Sequence, residues 1–403
     1  MNNGTSPTPQ IQHNLRHLRV FLTVVTTNSV TKTAAACHLS QPAVTQALAK
    51  IERELRTKLF TRTPQGLFAT PHGDILAKRA RRAFGYLDPA LDELSPRLRM
   101  LTTTSQLRAL IAVRECENFT LAAKKLGLAQ PTVHRAVTQF EEEAGRTLFD
   151  RKSFGIVATK AANGLAQAAR LALAELAQAE VDLADANDEE AGKIIIGAMP
   201  LSRSFVLPRA IAEFRKLRPR TPLHVLEGPY SDLLAGLRRG EIDFLIGAMR
   251  DPPPIGDVEQ RLLFSDTIVI VAGNDHPLVG RKDLTSRDLA SFPWVVGQTG
   301  TPIRRHFDAL FASVDNPPSS IVESSSLILM RELLARTDHL GCISFLQAQA
   351  ELSRGLLQAL PLDLKHTARP IGVTLRAEWL PTAAQQLFLD LVMQTGSTTS
   401  FDA

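Results

Sequence analysis

Apolar residues at Leu18, Phe21, Leu22 and Val25 recur at the three-and-four spacing of a helix with one buried face. Leu107, Leu110 and Ile111 repeat part of that pattern 89 residues later. After Gly73 the run DILAKRARRAFGYL is helical in composition, and Asp88-Pro89 and Ser95-Pro96 are expected to interrupt it, leaving a short or kinked connecting helix. Between 160 and 187 alanine and leucine dominate, with Leu165, Ala169, Ala172, Leu176, Ala179 and Leu183 on one face, which predicts a helix about 40 Å long. From Gly192 the pattern changes to short apolar runs. KIIIGA, TPLHVLEG, IDFLIGA and DTIVIVAG read as strands, as do WVVG within DLASFPWVVG, HLGCISF and RPIGVTLRAEW. LPRAIAEFRKLRP, YSDLLAGLRRGE, a segment around 327–335 and AAQQLFLDLVMQT read as helices between and after them, and the alternation predicts a parallel α/β sheet.

The early repetition extends beyond helix period. Residues 18–70 align with 107–159 without a gap at 18 identical positions of 53, against roughly three expected by chance. Shared residues include Ala34/Ala123, Gln41/Gln130, Pro42/Pro131, Val44/Val133, Glu52/Glu141, Leu59/Leu148, Arg62/Arg151, Gly66/Gly155 and Thr70/Thr159. Ala34 and Ala123 suit a close crossing of two helices. Ser40 followed by Gln41-Pro42 starts a helix, because a hydroxyl caps free amides and proline lacks only an N–H that has no partner there. With Val44, Leu48 and Ile51 inward, Gln41, Ala43, Thr45, Gln46 and Lys50 face outward, where a major groove would be read. Gln130, Pro131, Thr132, His134 and Arg135 stand at the matching positions of the second copy, and an arginine there suits guanine. Arg62 and Arg151 open hairpin-like stretches and are placed to meet a phosphate or the minor groove.

The set Ser40-Gln41-Pro42-Ala43, Leu59-Phe60 with Arg62, and Thr70 with Gly73 resembles the N-terminal winged helix-turn-helix of LysR-type transcriptional regulators. Departures from the family pattern occur in both copies. Cys37 and Arg56 stand in copy one where the family expects leucine and glycine, and Ala129 and Ala162 stand in copy two for the capping serine and closing glycine. Charge separates the copies. Residues 15–82 carry 12 lysines and arginines against 3 acidic residues, residues 104–171 carry 10 against 6, and the rest of the chain 24 against 32. A basic head on an acidic body suits DNA binding. Copy two also places Glu141, Glu142 and Glu143 near the end of its recognition helix. Two readings of copy two remain open: a second DNA reader with its own base preference, or a packing or dimerisation module that keeps the fold.

Gly192-Lys193-Ile194-Ile195-Ile196-Gly197, Leu207-Pro208, Glu227-Gly228, Gly240-Glu241-Ile242-Asp243 and His276-Pro277-Leu278 resemble the LysR effector-binding domain. That resemblance implies the two-lobed fold of type 2 periplasmic solute-binding proteins. The fold class expected is thus multidomain, α plus α/β: two winged helix-turn-helix domains, a helical linker and the two-lobed effector domain. Its divisions are a disordered tail (1–14), first reader (15–73), helical linker (74–103), second reader (104–159), a linker helix (160–190) and the effector domain (191–398). Lobe 1 covers about 191–270 and 368–398 and lobe 2 about 271–367. In the resembled family the linker helix joins subunits, which implies a homodimer or homotetramer. A ligand cleft lies beyond the carboxyl ends of strands, which nominates Ser202, Arg203, Glu227, Tyr230, Ser231, Gln298, Thr299 and Ser325 as effector contacts. Each serine is equally well read as a helix cap. Hydroxyls with few charges suggest a small polar ligand such as a sugar, a hydroxy acid or an aromatic acid.

No stretch of the 403 residues is long and apolar enough to span a bilayer, and the first 14 residues lack a signal core, so a cytoplasmic, nucleoid-associated protein is expected. Cys37, Cys116 and Cys342 have no CxxC spacing and read as structural thiols, with no intramolecular disulfide switch in a domain holding only Cys342. The 10 histidines form no ligand-like cluster, so no metal or other cofactor is expected. No nucleophile elbow or phosphate loop supports an enzyme. The expected function is a sequence-specific transcriptional regulator with double-stranded DNA and a small effector as partners, RNA polymerase as a further candidate, and no membrane. The alternative is a ligand-independent architectural DNA-binding protein whose α/β part only oligomerises.

Overall fold

The computed structural model describes residues 14–397 except 154, 253 and 254, with the backbone alone at 151. The tail expected over 1–14 therefore lies outside the described residues, apart from Asn14, which caps the first helix by accepting from the His17 amide. The chain divides into two compact units, one ending at Gly192 and the other beginning at Lys193.

The first unit opens with α1 (Leu15–Thr27), α2 (Val30–Ala36), α3 (Gln41–Leu55) and a hairpin of β1 (Phe60–Thr63) and β2 (Gly66–Ala69), leading into α4 (Pro71–Asp92). A short helix, α5 (Leu98–Leu101), follows. The same order then recurs as α6 (Thr104–Cys116), α7 (Phe119–Leu126), α8 (Gln130–Ala144), the hairpin β3 (Phe149–Lys152) and β4 (Gly155–Ala158), and α9 (Lys160–Asp185). The shared residues have visible work. Thr70 and Thr159 cap α4 and α9 by accepting from the amides of Gly73 and Ala162. Glu52 and Glu141 turn back to accept the amides of Leu59 and Leu148, which satisfies the chain as it enters each hairpin. Gly66 and Gly155 take φ near +140°, conformations open to a residue without Cβ. The next amides, of Leu67 and Ile156, donate to the carbonyls of Asn28 and Glu117, which fastens each hairpin to the end of its first helix. Ala34 and Ala123 are buried at the crossings the pattern assigned to them.

The connecting helix differs from expectation. α4 runs unbroken for 22 residues through Asp88-Pro89 and ends only at Asp92. Pro89 falls in its closing turns, so the single backbone bond it forfeits does not end the helix. α4 packs along α9, and one continuous apolar core runs through both sets of helices and the long pair. Leu165, Ala169, Ala172, Leu176, Ala179 and Leu183 are all buried, so this face of α9 is covered within its own chain.

The second unit contains two five-stranded sheets. It begins with β5 (Ile194–Ala198), a π-helical turn at Ser202–Val206, α10 (Leu207–Leu217), β6 (Leu223–Leu226), α11 (Tyr230–Arg238), β7 (Phe244–Ala248) and β8 (Val258–Asp266). The chain then enters the other sheet with β9 (Ile268–Ala272), α12 (Ser286–Ala290), β10 (Trp294–Val296), α13 (Pro302–Leu310), β11 (Ile321–Glu323), α14 (Leu327–Leu334), β12 (Leu340–Ser344), α15 (Phe345–Ser353) and β13 (Gln358–Ala359). It returns to the first sheet through β14 (Arg369–Arg376) and closes with α16 (Ala383–Ser397). The orders are β6-β5-β7-β14-β8 and β11-β10-β12-β9-β13. Both sheets are mixed rather than wholly parallel, because the strands at each crossover, β8 and β14, β9 and β13, pair antiparallel. β8 was not foreseen: Glu259, Leu262 and Ser265 are exposed on this edge strand, so its apolar signal is broken. Among the described residues no helix is long and apolar enough to cross a membrane, and no group of histidine, cysteine and acidic side chains could hold a metal ion.

Candidate functional site

On α3, Val44, Leu48 and Ile51 are buried, while Gln41, Pro42, Thr45, Gln46 and Lys50 are exposed and Ala43 is half-buried. Ser40 spends its hydroxyl as the cap, accepting from the Ala43 amide at 3.3 Å, and the Thr45 hydroxyl donates to the Gln41 carbonyl at 3.1 Å. Gln46 and Lys50 are left as long side chains facing outward, and Arg62 is exposed on β1 of the same head.

On α8, Gln130, Pro131, Thr132 and Arg135 are exposed. His134 is held differently: its ring lies 5.0 Å from that of Phe119, and its Nδ1 meets the Thr138 hydroxyl at 3.4 Å. Arg135 is thus the long outward cation of this helix. The side chain of Arg151 lies outside the described residues, and its backbone is in β3. The acidic cluster of copy two is mostly turned inward. Glu141 accepts the amides of Leu148 and Phe149, and Glu143 accepts from Gln106 and Gln139, leaving Glu142 as the exposed member. Ala129 offers no side-chain cap to α8.

The second unit holds a cavity of about 650 Å³, within the range of small-molecule sites. Arg203, Glu227, Tyr230, Ser231, Gln298, Thr299 and Ser325 all line it, contributed by segments that follow strands of both sheets. Ser202 does not: it is fully buried, and its hydroxyl donates to the Met199 carbonyl at 2.7 Å, so it belongs to the fold rather than the cavity wall. Arg203 forms an ion pair with Glu227. Thr299 donates to Glu323 at 2.9 Å, and that bond, with Arg304 beside it, holds the Glu323 carboxyl below its ordinary range. Two of the wall hydroxyls are caps, Thr301 for α13 and Ser326 for α14.

Two lining arginines were missed. Arg250 lies over the Tyr230 ring at 4.6 Å, and burial pushes the Tyr230 phenol up while Arg250 draws it down. Arg250 follows β7 as Arg203 follows β5, so the carboxyl-end rule, applied to one more strand, would have found it. Arg369 begins β14 and is paired at 3.0 Å with the buried Asp266, whose carboxyl is raised by burial. No local motif marks it, because its partner is 103 residues away. Arg203 Nε and Arg369 Nη1 are both buried without a hydrogen-bond partner. Cys342 also reaches the cavity wall, and complete burial pushes its thiol up to about 12, so it is an un-ionised thiol at neutral pH.

Comparison with known proteins agrees with this division. Residues 187–397 match the LysR substrate binding domain, and residues 15–74 and 104–163 match the helix-turn-helix of bacterial regulatory proteins of the lysR family. The HTH-type transcriptional regulator GalR of Pseudomonas putida is 32% identical over 385 residues, covering 94% of this chain and 97% of its own. YdcI, an HTH-type transcriptional regulator of Escherichia coli, is 28% identical over 290 residues, covering 72% of this chain and 94% of its own. In fold the chain is similar to full-length OxyR from Pseudomonas aeruginosa, with a TM-score of 0.52 and 22% identity over 74% of this chain and 96% of that one. It is similar also to CbnR, a LysR family transcriptional regulator, with a TM-score of 0.50 and 17% identity over 73% and 99%. With matches of this extent at both ends, the chain belongs to the LysR family: it is a DNA-binding transcriptional regulator with an effector-binding domain, and not an enzyme.

Proposed function

We propose that this regulator carries two winged helix-turn-helix readers in tandem and takes a small carboxylate-bearing effector in a cleft between two lobes of the type 2 periplasmic-binding-protein kind. For the tandem, the support is that both sets of elements keep an exposed recognition face with long polar side chains, Gln46 and Lys50 on α3 and Arg135 on α8. Glu141 and Glu143 are half-buried and engaged by the hairpin amides and by Gln106 and Gln139, so Glu142 is the one member of the acidic run that stands exposed. The alignment with GalR, at 94% of this chain, is too long to omit either segment, whereas YdcI reaches 94% of its own length on 72% of this one. The DNA contacts we assign are Ser40, Gln41, Pro42, Ala43, Thr45, Gln46, Lys50 and Arg62, with Gln130, Pro131, Thr132, His134, Arg135 and Arg151 in the second reader.

For the effector, the carrying observation is the pair of unpartnered buried guanidinium donors, Arg203 Nε and Arg369 Nη1, in residues that line one cavity. A buried unpaired donor costs about 1–3 kcal/mol, more for a charged group, and a carboxylate is the acceptor that recovers it. Tyr230, Ser231, Gln298, Thr299 and Ser325 would orient the remainder of the molecule, and a hydroxylated or aromatic acid fits that mixture. Occupancy then shifts the lobes and alters how the readers engage DNA at the nucleoid. Subunits join through the second unit, where Val225 and Leu226 on the edge strand β6 remain exposed.

Two measurements test this reading. Footprinting on the regulator's own promoter region compares wild type with Thr45→Ala/Gln46→Ala and with His134→Ala/Arg135→Ala; each variant is expected to lose a different protected patch. Calorimetry with panels of aromatic and hydroxy acids, their amides and neutral sugars should find binding only among the acids, lost in Arg369→Met. Binding of a neutral sugar with Arg369→Met unaffected overturns the carboxylate assignment.

A further inference from the structure

We infer that one chain is a complete two-fold DNA-binding unit, reading two unlike half-sites in inverted orientation without a second subunit. The inference rests on the reading above that both recognition helices contact DNA, and it adds their geometry. α4 and α9 are counterparts in the repeat, each leaving its hairpin through a capping threonine. Their contacts run in opposite directions. His72 meets Asn187 at 3.0 Å, Arg79 meets Asp182 at 2.7 Å and Gln178 at 2.9 Å, and Arg82 meets Glu175 at 2.9 Å. As the number rises on α4 it falls on α9, so the pair is antiparallel. Two equivalent helices packed antiparallel are related by a local two-fold axis across them, which this register places near Phe84 and its counterpart Leu173. Each head is fused to the N-terminus of its own long helix, so the heads obey the same two-fold. The two N-termini lie about 40 Å apart along the pair, at 1.5 Å per residue. That is the scale on which two-fold heads reach half-sites one to two turns apart on a duplex.

The pairing is specified as well as permitted. Arg79, 1% exposed, is enclosed by Glu175, Gln178 and Asp182, and its counterpart in the repeat is Ala168. An antiparallel pair of two α9 helices from two chains would bury Glu175 and Asp182 against Ala168 with no Arg79 to answer them. The ion cluster therefore favours α4 with α9, within the chain. The heads so joined are not alike: Ala43, Thr45 and Gln46 of α3 correspond to Thr132, His134 and Arg135 of α8. A two-fold frame with two different readers fits an operator whose halves are inverted but unequal, and it gives that operator a direction.

The experiment is selection of bound duplexes from a random-sequence pool by the full-length protein. Wild type is expected to select two unlike elements in inverted orientation, and removal of one element should weaken binding on the order of 10²-fold. The variant Thr132→Ala/His134→Thr/Arg135→Gln is expected to convert the second element to the first, turning the selected site into a palindrome. Native mass spectrometry of wild type with the selected duplex in excess should show as many duplexes bound as chains, whether the chains are single or joined through the second unit, a result independent of how the variant folds. Direct repeats, or two chains for every duplex bound even with duplex in excess, overturn the two-fold unit while leaving both readers standing. A single element unaffected by the triple substitution removes the second reader itself, and this inference with it.

Discussion

The two heads of the first unit share a scaffold and differ in how tightly that scaffold is closed. In the first, a Cβ on Gly73 would lie 2.2 Å from the Leu59 carbonyl oxygen, and a Cβ on Gly66 would lie 2.5 Å from that of Asn28. In the second, Ala162 occupies the place of Gly73 and is buried there, and a Cβ on Gly155 would meet the Glu117 carbonyl at 3.5 Å. The backbone hydrogen bonds are nonetheless retained: Thr70 to Leu59 and Thr159 to Leu148 are both 2.9 Å. The looser head has its compensation at a helix end, where Gly145 takes the left-handed position with φ +63° that Arg56 must take in the first with φ +53°. The same order of elements is thus held with its points of strain in different places.

The largest test of this comparison is removal of what binds the heads together. Arg79→Ala leaves Glu175 buried with only Arg82 to answer it, and the first unit is expected to lose about 3–5 kcal/mol in denaturant unfolding. A loss under 1 kcal/mol would mean that the helix pair does not depend on the cluster. Next come the glycines. Gly66→Ala and Gly155→Ala share the strain of positive φ, about 1–3 kcal/mol, but only the former also collides with a carbonyl that accepts the Leu67 amide. It should be the more destabilising, by about 1 kcal/mol or more, in matched melts. On DNA, Arg135→Ala is expected to relax base preference at one half-site at a cost of about 1–3 kcal/mol, and Gln46→Ala at the other, read by competition between operator variants. The smallest effect is at the recognition-helix start. Ser40→Ala should cost about 1 kcal/mol and Ala129→Ser should gain up to about that much, since one head has the cap and the other lacks it.

Much of this architecture was legible in the residues. The order of helices and hairpins followed from the ungapped repeat, from Ser-Gln-Pro as a helix start and from glycine at each hairpin. The strands of the second unit were legible where both faces are buried, as in IVIVA of β9, and illegible where one edge is wet, as in β8. Pro89 is weaker punctuation than its residue type suggests, because a proline near a helix end removes one bond rather than the helix. What escaped was long-range. The run AKRARRAF looks like a solvated face, and nothing within it announces that Arg79 is enclosed by acids about a hundred residues on. Arg369 is hidden in the same way, a cation whose meaning depends on Asp266 and on a cavity assembled from two sheets. In the candidate cleft the rule of strand ends found the loops, while the charges that select a ligand came from tertiary pairing.

The long helix pair also bears on how the regulator responds to its own abundance. When two readers must meet as separate chains, occupancy of a two-part site falls with roughly the square of concentration in the dilute limit. In the arrangement proposed above, with both heads reading DNA and joined through α4 and α9, it falls only in proportion. A promoter served by such a chain keeps a graded response at low copy number, and a halved gene dose halves occupancy instead of quartering it.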